Sequence, residues 1–237
     1  MKAVILAAGA GKRLRPLTDY IPKPLLPAGT SSPVIGEIVK NLKTLEIQEL
    51  IVVIGPKGNE IKKYLKRFDI PVSYMTQKKP LGTAHALAAA AEKIDGDVLV
   101  TAGDSVYPKS HYKALYSAFI KEDLDAALSL KVLDRRQMIE SSTVKMGKDG
   151  RILRVMEKPS DEEILSGIAC GPLHIFKDII KDYLKVKKSV RGEYELPDSI
   201  QMMIDDGLKV KGVVAKKWGH LSSIEDFVQM NFTSVFS

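Results

Sequence analysis

The sequence predicts an α/β fold, a mostly parallel sheet flanked by helices with a smaller antiparallel part inserted, and three observations carry that prediction. Continuous apolar runs recur at Lys2–Ala7, Leu50–Ile54 and Val98–Thr101, without the polar alternation of a half-exposed strand. Amphipathic helical patterns separate them, an order that makes neighbouring strands parallel. After residue 125 the pattern turns to strands joined by the tight turn Lys148-Asp149-Gly150.

The elements follow in order. Lys2–Ala7 is a buried first strand closed by Gly9-Ala10-Gly11, and the chain stays irregular through Pro16, Pro22, Pro24 and Pro27. Val34 to about Leu45 is a helix, with Ile35, Ile38, Val39 and Leu42 on one face and Ser32-Pro33 as its start signal. Leu50–Ile54 is a strand, Asn59–Phe68 a helix, Val72–Met75 a strand, Thr83 to about Lys93 an Ala-rich helix, and Val98–Thr101 a strand that runs into Ala102-Gly103-Asp104. A helix over Lys109–Lys121 precedes the antiparallel part, Ala126–Val132, Thr143–Met146 and Ile152–Met156. Ile168–Phe176 is another strand, helices are expected near Lys177–Leu184 and Leu196–Asp206, Lys209–Ala215 is a strand, and Ile224–Asn231 the last helix. Neither repeats nor low-complexity linkers interrupt the pattern, so the expectation is one domain over residues 1–237.

Composition narrows the function. The 237 residues carry 36 Lys+Arg and 29 Asp+Glu, a formal charge of +7, with 45% hydrophobic residues, enough to bury a core. A single cysteine, Cys170, excludes an intramolecular disulfide and any multi-thiolate zinc site, and it suits a reducing, cytoplasmic setting. The apolar start, Val4–Ala8, is far too short to span a bilayer, so no membrane association is predicted. Positive charge concentrates on the helix face Lys62, Lys63, Lys66, Arg67 and in Lys185–Arg191. No aromatic-studded groove accompanies it, and it reads as solvated surface rather than a nucleic-acid footprint.

A strand that ends in Gly9-Ala10-Gly11-Lys12-Arg13 has the composition of a phosphate cradle, because glycines let backbone N–H groups approach an anion. The P-loop pattern fails, since Leu6 and Arg13 stand where it needs Gly and Ser or Thr. The dinucleotide fingerprint fails at Leu14, where a third glycine belongs. What remains is the string from Leu6 through Ala8, Gly9, Gly11 and Arg13 to Thr18, followed by Pro22-Lys23-Pro24-Leu25-Leu26-Pro27.

That string closely resembles the signature of the sugar-phosphate nucleotidyltransferases, and the resemblance implies a Rossmann-like fold. It further implies that the glycine loop embraces a nucleoside triphosphate while Arg13 and Lys23 hold its phosphates. Gln77 to Leu87 resembles the family's base-reading loop, implying contacts from Gln77, Gly82 and Thr83. An amide that both donates and accepts suits a pyrimidine edge, so UTP or dTTP is the expected donor. Thr101-Ala102-Gly103-Asp104 resembles the Gly-Asp whose carboxylate binds the catalytic magnesium. Such a position, the carboxyl end of a central parallel strand, is where ligands of open α/β sheets bind.

In the second half Glu157-Lys158-Pro159 is similar to the family's Glu-Lys-Pro, implying that Glu157 holds sugar hydroxyls and Lys158 the sugar phosphate. Gly192 to Ile200, with Glu193, is similar to the segment bordering the sugar pocket, and Trp218 to the aromatic residue near its end. The implied division is a nucleotide-binding half, 1–124, and a sugar-binding half, 125–237. The implied reaction joins a nucleoside triphosphate to a sugar-1-phosphate, glucose-1-phosphate first, with Arg13, Lys23, Asp104 and Lys158 as catalytic residues, in a homo-oligomer. Alternatives are a silent nucleotide- or sugar-phosphate-sensing subunit, or transfer to a non-sugar phosphate such as phosphocholine.

The sequence departs from the family pattern at four places, the first being Pro197, which stands where Thr is usual. His220 stands where a second metal-binding aspartate is usual. Imidazole suits manganese, zinc or cobalt better than magnesium, so the alternatives are a shifted metal preference, Mn2+ for Mg2+, or a water in that position, or a plain pocket histidine. Ser142 replaces a glycine, and Cys170-Gly171-Pro172 replaces Asn-Ala-Gly, which leaves the sugar open. His85, His111 and His174 form no cluster in the sequence and are attributed to packing or solvent.

Overall fold

The computed structural model describes residues 1–29 and 32–232. Strand β1 (Lys2–Ala7) leads through the glycine loop to α1 (Leu17–Tyr20) and α2 (Val34–Leu42), then β2 (Leu50–Ile54), α3 (Gly58–Leu65), β3 (Val72–Thr76), α4 (Thr83–Ala88) and β4 (Val98–Ala102). The short β5 (Ser105–Val106) precedes α5 (Lys109–Lys121), β6 (Ala126–Val132), α6 (Arg135–Ile139), and the strands β7 (Ser142–Met146) and β8 (Ile152–Glu157). Last come β9 (Ile168–Phe176), α7 (Leu196–Asp205), β10 (Val210–Val214), β11 (Gly219–His220) and α8 (Ile224–Phe232).

Seven strands form one sheet in the order β10-β6-β9-β4-β1-β2-β3. Six run one way, and β9 lies antiparallel between β4 and β6. The parallel α/β expectation holds, with one correction. Ala126–Val132 is not part of a separate antiparallel unit; it joins the main sheet, parallel to β10. The hairpin β7–β8 forms a small antiparallel sheet of its own, and β5 with β11 forms another. The reason lies in burial: six of the seven residues of β6 are buried, the signature of a strand covered on both faces.

Alternation along the strands feeds two cores. Ala3 and Ile5 of β1 face Ile35, Ile38, Leu42, Ile61, Leu115 and Phe119 of α2, α3 and α5. Val4 with Ile51, Val53 and Val100 faces Ala86, Leu87, Ile200 and Met203 of α4 and α7. Helix lengths are the weaker part of the expectation. The helix from Asn59 stops at Leu65, the Ala-rich helix at Ala88, and Lys177–Leu184 is a 3-10 run over Asp178–Tyr183. A capping box at Asp134 and Gln137 starts α6, which the hydrophobic period had not signalled.

Because β9 runs against its neighbours, its first residues meet the carboxyl ends of β1, β4 and β6. Val132 is paired with Ile168 and Leu130 with Cys170, while Leu6 is paired with Ala102. The glycine loop, Asp104, Lys131 and Cys170 are thereby gathered at one end of the sheet, where loops from both halves of the chain converge.

Candidate active site

A cavity of about 440 Å³ opens at that end of the sheet, with Leu6, Gly9, Arg13, Lys23, Thr83 and Asp104 on one side. Lys131, Glu157, Lys158, Cys170 and His174 line the rest, and His220 sits beside Asp104. The loop after β1 owes its shape to Gly11, whose φ is +62° and where a Cβ would lie 2.8 Å from the Thr18 methyl group. Thr18 Oγ1 donates to the Gly11 carbonyl at 2.8 Å, which ties the loop to α1. Lys23, carried by the 3-10 turn after Pro22, places its Nζ 2.5 Å from Asp104 Oδ2. Burial pushes the Asp104 carboxyl up, but the Lys23 ammonium and the His220 ring hold it well below the usual carboxylate range. It is therefore ionised at neutral pH.

Asp104 is also linked to the far end of the chain. Ser105 of β5 pairs with His220 of β11, and the Leu221 amide donates to the Asp104 carbonyl at 2.9 Å. Ser105 Oγ lies 2.8 Å from His220 Nδ1 and 3.2 Å from Asp104 Oδ1, and Nδ1 itself is 3.7 Å from that oxygen. Burial carries the His220 pKa down to about 4 against the pull of Asp104, so the imidazole is neutral at pH 7.

The opposite side carries a different chemistry. Glu157, at the end of β8, has its pKa raised to about 7 by burial and by Glu195, against the pull of Arg191, Lys158 and Lys131. Lys158 adopts a left-handed φ of +43°, and its amide donates to the Ser141 carbonyl at 2.6 Å, which turns the chain at the cavity mouth. Arg191 clamps Glu193 at 2.9 Å and Glu195 at 3.0 Å. Arg13, largely exposed, reaches 3.8 Å from Glu140 across the rim. Burial in the apolar wall takes the Cys170 thiol up to about 12, so it is no thiolate nucleophile.

The cavity thus brings together Leu6, Gly9, Arg13, Lys23, Thr83, Asp104, Glu157, Lys158, Glu193 and His220 from the sequence-derived set. Ala8 borders a second hollow of about 230 Å³ on the other side of the glycine loop, which shares Gly9 and Lys23 with the first. Gly11, Gln77, Gly82, Gly103 and Trp218 do not line the main cavity. Gly103 donates to the Leu6 carbonyl at 2.9 Å and closes β4 against β1. Gln77 turns its Nε2 to the Gly82 carbonyl at 3.1 Å and to His85 Nδ1 at 2.9 Å, so that amide group is engaged by its own loop. Trp218 borders a smaller hollow with His220 and Asp226.

Sequence reasoning missed Lys131, Arg191 and Glu195, and it set His174 aside as packing. His174 is 5% exposed, lines the cavity, and its Nδ1 has no hydrogen-bond partner. Glu195 lies within the Gly192 to Ile200 string and Arg191 just before it, whereas for Lys131 and His174 a polar residue in the otherwise apolar runs of β6 and β9 was the signal available. His111 donates to or accepts from Ser129 at 2.8 Å, and its role is internal.

Among the described residues no three His, Cys, Asp or Glu side chains form a cation cage. A magnesium ion needs none, since it is held by one or two carboxylates together with substrate phosphates and water. Asp104, ionised on the cavity wall, fits that requirement. His220 fits it less well, because the ring nitrogen facing Asp104 is already engaged with Ser105.

Residues 2–234 match the family model described as nucleotidyl transferase. The chain belongs to the nucleotidyl transferase family. It is 31% identical over 234 residues to the bifunctional protein GlmU of Methanococcus maripaludis, covering 98% of this chain and 54% of that protein. It is 31% identical over 238 residues to the low-salt glycan biosynthesis nucleotidyltransferase Agl11 of Haloferax volcanii, covering 98% and 65%. The chain therefore spans about half to two-thirds of the length of those curated relatives. A UTP–glucose-1-phosphate uridylyltransferase of Haloferax volcanii, AglF, is 29% identical, with 92% of this chain and 89% of that protein covered. A UDP-glucose pyrophosphorylase solved with UDP-glucose superposes with a TM-score of 0.88 at 20% identity, over 97% of this chain and 96% of that one. That likeness establishes the Rossmann-like nucleotidyltransferase fold. Among the described residues no helix is long and apolar enough to cross a membrane.

Proposed function

We propose that this nucleotidyl transferase condenses UTP or dTTP with a sugar-1-phosphate, glucose-1-phosphate being the first candidate, to give a nucleotide sugar and pyrophosphate. The observation that carries the reading is the pairing of two chemistries in one cavity. The Lys23–Asp104 pair stands beside the glycine loop, and a half-buried Glu157 with the ammonium of Lys158 lines the same cavity. One side suits phosphates and a cation, the other a polyol that ends in phosphate. Relatives named for uridylyl and thymidylyl transfer to glucose-1-phosphate agree with it.

In this reading an oxygen of the sugar phosphate attacks the α-phosphorus, the bond to the β-phosphate breaks, and pyrophosphate leaves. The chain supplies no covalent nucleophile; its work is positioning and cancelling charge between two anions. Lys23 binds the α-phosphate, Arg13 the leaving pyrophosphate, and Lys158 the incoming phosphate. Glu157 takes a hydrogen bond from a sugar hydroxyl. Asp104 would hold Mg2+, which supplies Lewis-acid charge at the phosphates when bound. The Gln77 loop reads the base once its amide turns from Gly82 and His85.

The test is pyrophosphate release with UTP, dTTP, CTP, GTP and ATP crossed against sugar-1-phosphates and phosphocholine, in magnesium and in manganese. A pyrimidine triphosphate with a sugar-1-phosphate is expected to turn over, and Asp104→Ala to lose about 10²–10³-fold in rate. Exclusive use of a non-sugar phosphate, or no turnover with any pair, would overturn the reading.

A further inference from the structure

Lys131 is a cation to which the chemistry above assigns no role. It stands near the end of β6, is 5% exposed, and lines the cavity. Most of its cationic neighbours are already matched: Lys23 with Asp104, Arg13 with Glu140, Arg191 with Glu193 and Glu195. Lys131 forms no ion pair among the described residues. Its Nζ lies instead 4.2 Å from the centroid of the Trp218 ring. The face of an indole stabilises an ammonium, yet by less than the desolvation of a buried charge costs. Burial accordingly lowers the Lys131 pKa, against the fields of Asp104 and Glu157. A site that keeps an unmatched ammonium on a cavity wall is prepared for an anion.

The electrostatic neighbours place that anion. Lys158 acts on Glu157 and Glu195, whereas Lys131 acts on Glu157 and His220 and itself feels the carboxylates of Asp104, Glu157 and Asp226. Glu157 is within reach of both. An acceptor whose sugar is held by Glu157 has to bring its phosphate from the Lys158 rim to the Asp104 wall before it can attack. Lys131 lines the same cavity as Glu157, Lys158 and Asp104. We propose that Lys131 Nζ binds the phosphate of the acceptor at the Asp104 wall, as a second ammonium complementing Lys158. The inference rests on the sugar-phosphate reading of the cavity and adds a binding residue to it.

The protein has one tryptophan, so indole emission reports on the ring beneath Lys131. Glucose-1-phosphate and inorganic phosphate are titrated into the full chain by calorimetry and by Trp218 fluorescence, without nucleotide. Wild type is expected to bind both with a change in emission. Lys131→Met should weaken both at least about tenfold and abolish the emission change, while Lys131→Arg recovers affinity to within about threefold. Lys158→Met should weaken binding but keep the emission response. Undiminished phosphate binding by a folded Lys131→Met overturns the inference, as does loss of glucose-1-phosphate binding alone, which would assign Lys131 to the sugar. If Lys131→Met does not fold, the wild-type emission response and its retention in Lys131→Arg decide. Absence of turnover strikes the reading above instead, and failure of wild type to bind either phosphate strikes both.

Discussion

The two sides of the cavity are built on different plans. At the glycine loop three cations are matched before any ligand arrives: Lys23 is 2.5 Å from Asp104, Arg15 is 3.1 Å from Asp19, and Arg13 is 3.8 Å from Glu140. Its parts lie close along the chain, from Leu6 to Pro27, with Asp104 brought in by one parallel strand pairing. On the acceptor side the charges are partly unmatched, and they come from β6, the end of β8 with Lys158, and the Arg191–Glu195 segment. A matched pair keeps a pocket preorganised at low cost, and a ligand exchanges partners there. An unmatched buried charge makes the empty site less stable and the filled one more so, which converts binding into selectivity.

Three perturbations break or sharpen that contrast. The largest acts where the two sides are joined. Gly82 has a φ of +106°, and a Cβ there would collide with the Tyr194 carbonyl oxygen. The Ala84 amide donates to that same oxygen at 2.9 Å, and Tyr194 donates to Leu81 at 2.8 Å. Gly82→Ala is expected to cost about 2–4 kcal/mol in urea unfolding and to loosen both sides together. If stability is unchanged, the base loop and the acceptor segment are not mechanically coupled.

A smaller effect tests the unmatched acceptor side through pH. Glu157 has a pKa raised from the ordinary 4.5 to about 7. A raised carboxyl favours its protonated form in the folded state, so it carries no penalty below about pH 4.5, and stability is lost as pH rises through 7. Glu157→Gln mimics the protonated form. Its Tm should match wild type near pH 5 and exceed it at pH 8 in ligand-free protein. Parallel Tm curves across that range would mean that the Glu157 charge is already compensated.

The smallest effect comes from a pair outside the cavity. Arg135 forks onto Asp161 with two contacts of 2.7 Å, but both side chains are more than half exposed. Arg135→Ala is expected to move Tm by less than about 2 °C, because solvent screens such a pair. A larger loss would show that the β7–β8 hairpin depends on that clamp.

Much of the glycine-loop side was legible in the sequence because its determinants are local. A left-handed Gly11, prolines that hold the chain irregular, and a lysine at a set distance from them act through near neighbours. Strand positions were legible for a similar reason: residues covered on both faces must be apolar along their whole length, as in Leu50–Ile54. Helix ends were less so, since Ala88 and Leu65 stop helices that propensity alone would continue.

What the sequence by itself determined, then, is the parallel sheet, the glycine loop, and the short strings that hold Lys23, Asp104, Glu157 and Lys158. Only the tertiary structure decided that Ala126–Val132 belongs to the main sheet, that Gln77 rests on His85, and that Lys131 lies buried over Trp218. The physical reason is distance along the chain. Periodicity and turn chemistry act within a few residues and leave their trace in local sequence. Whether a lysine in β6 meets a counter-ion, an indole or a cavity depends on strands brought together by the reversed direction of β9, and no local pattern encodes that meeting.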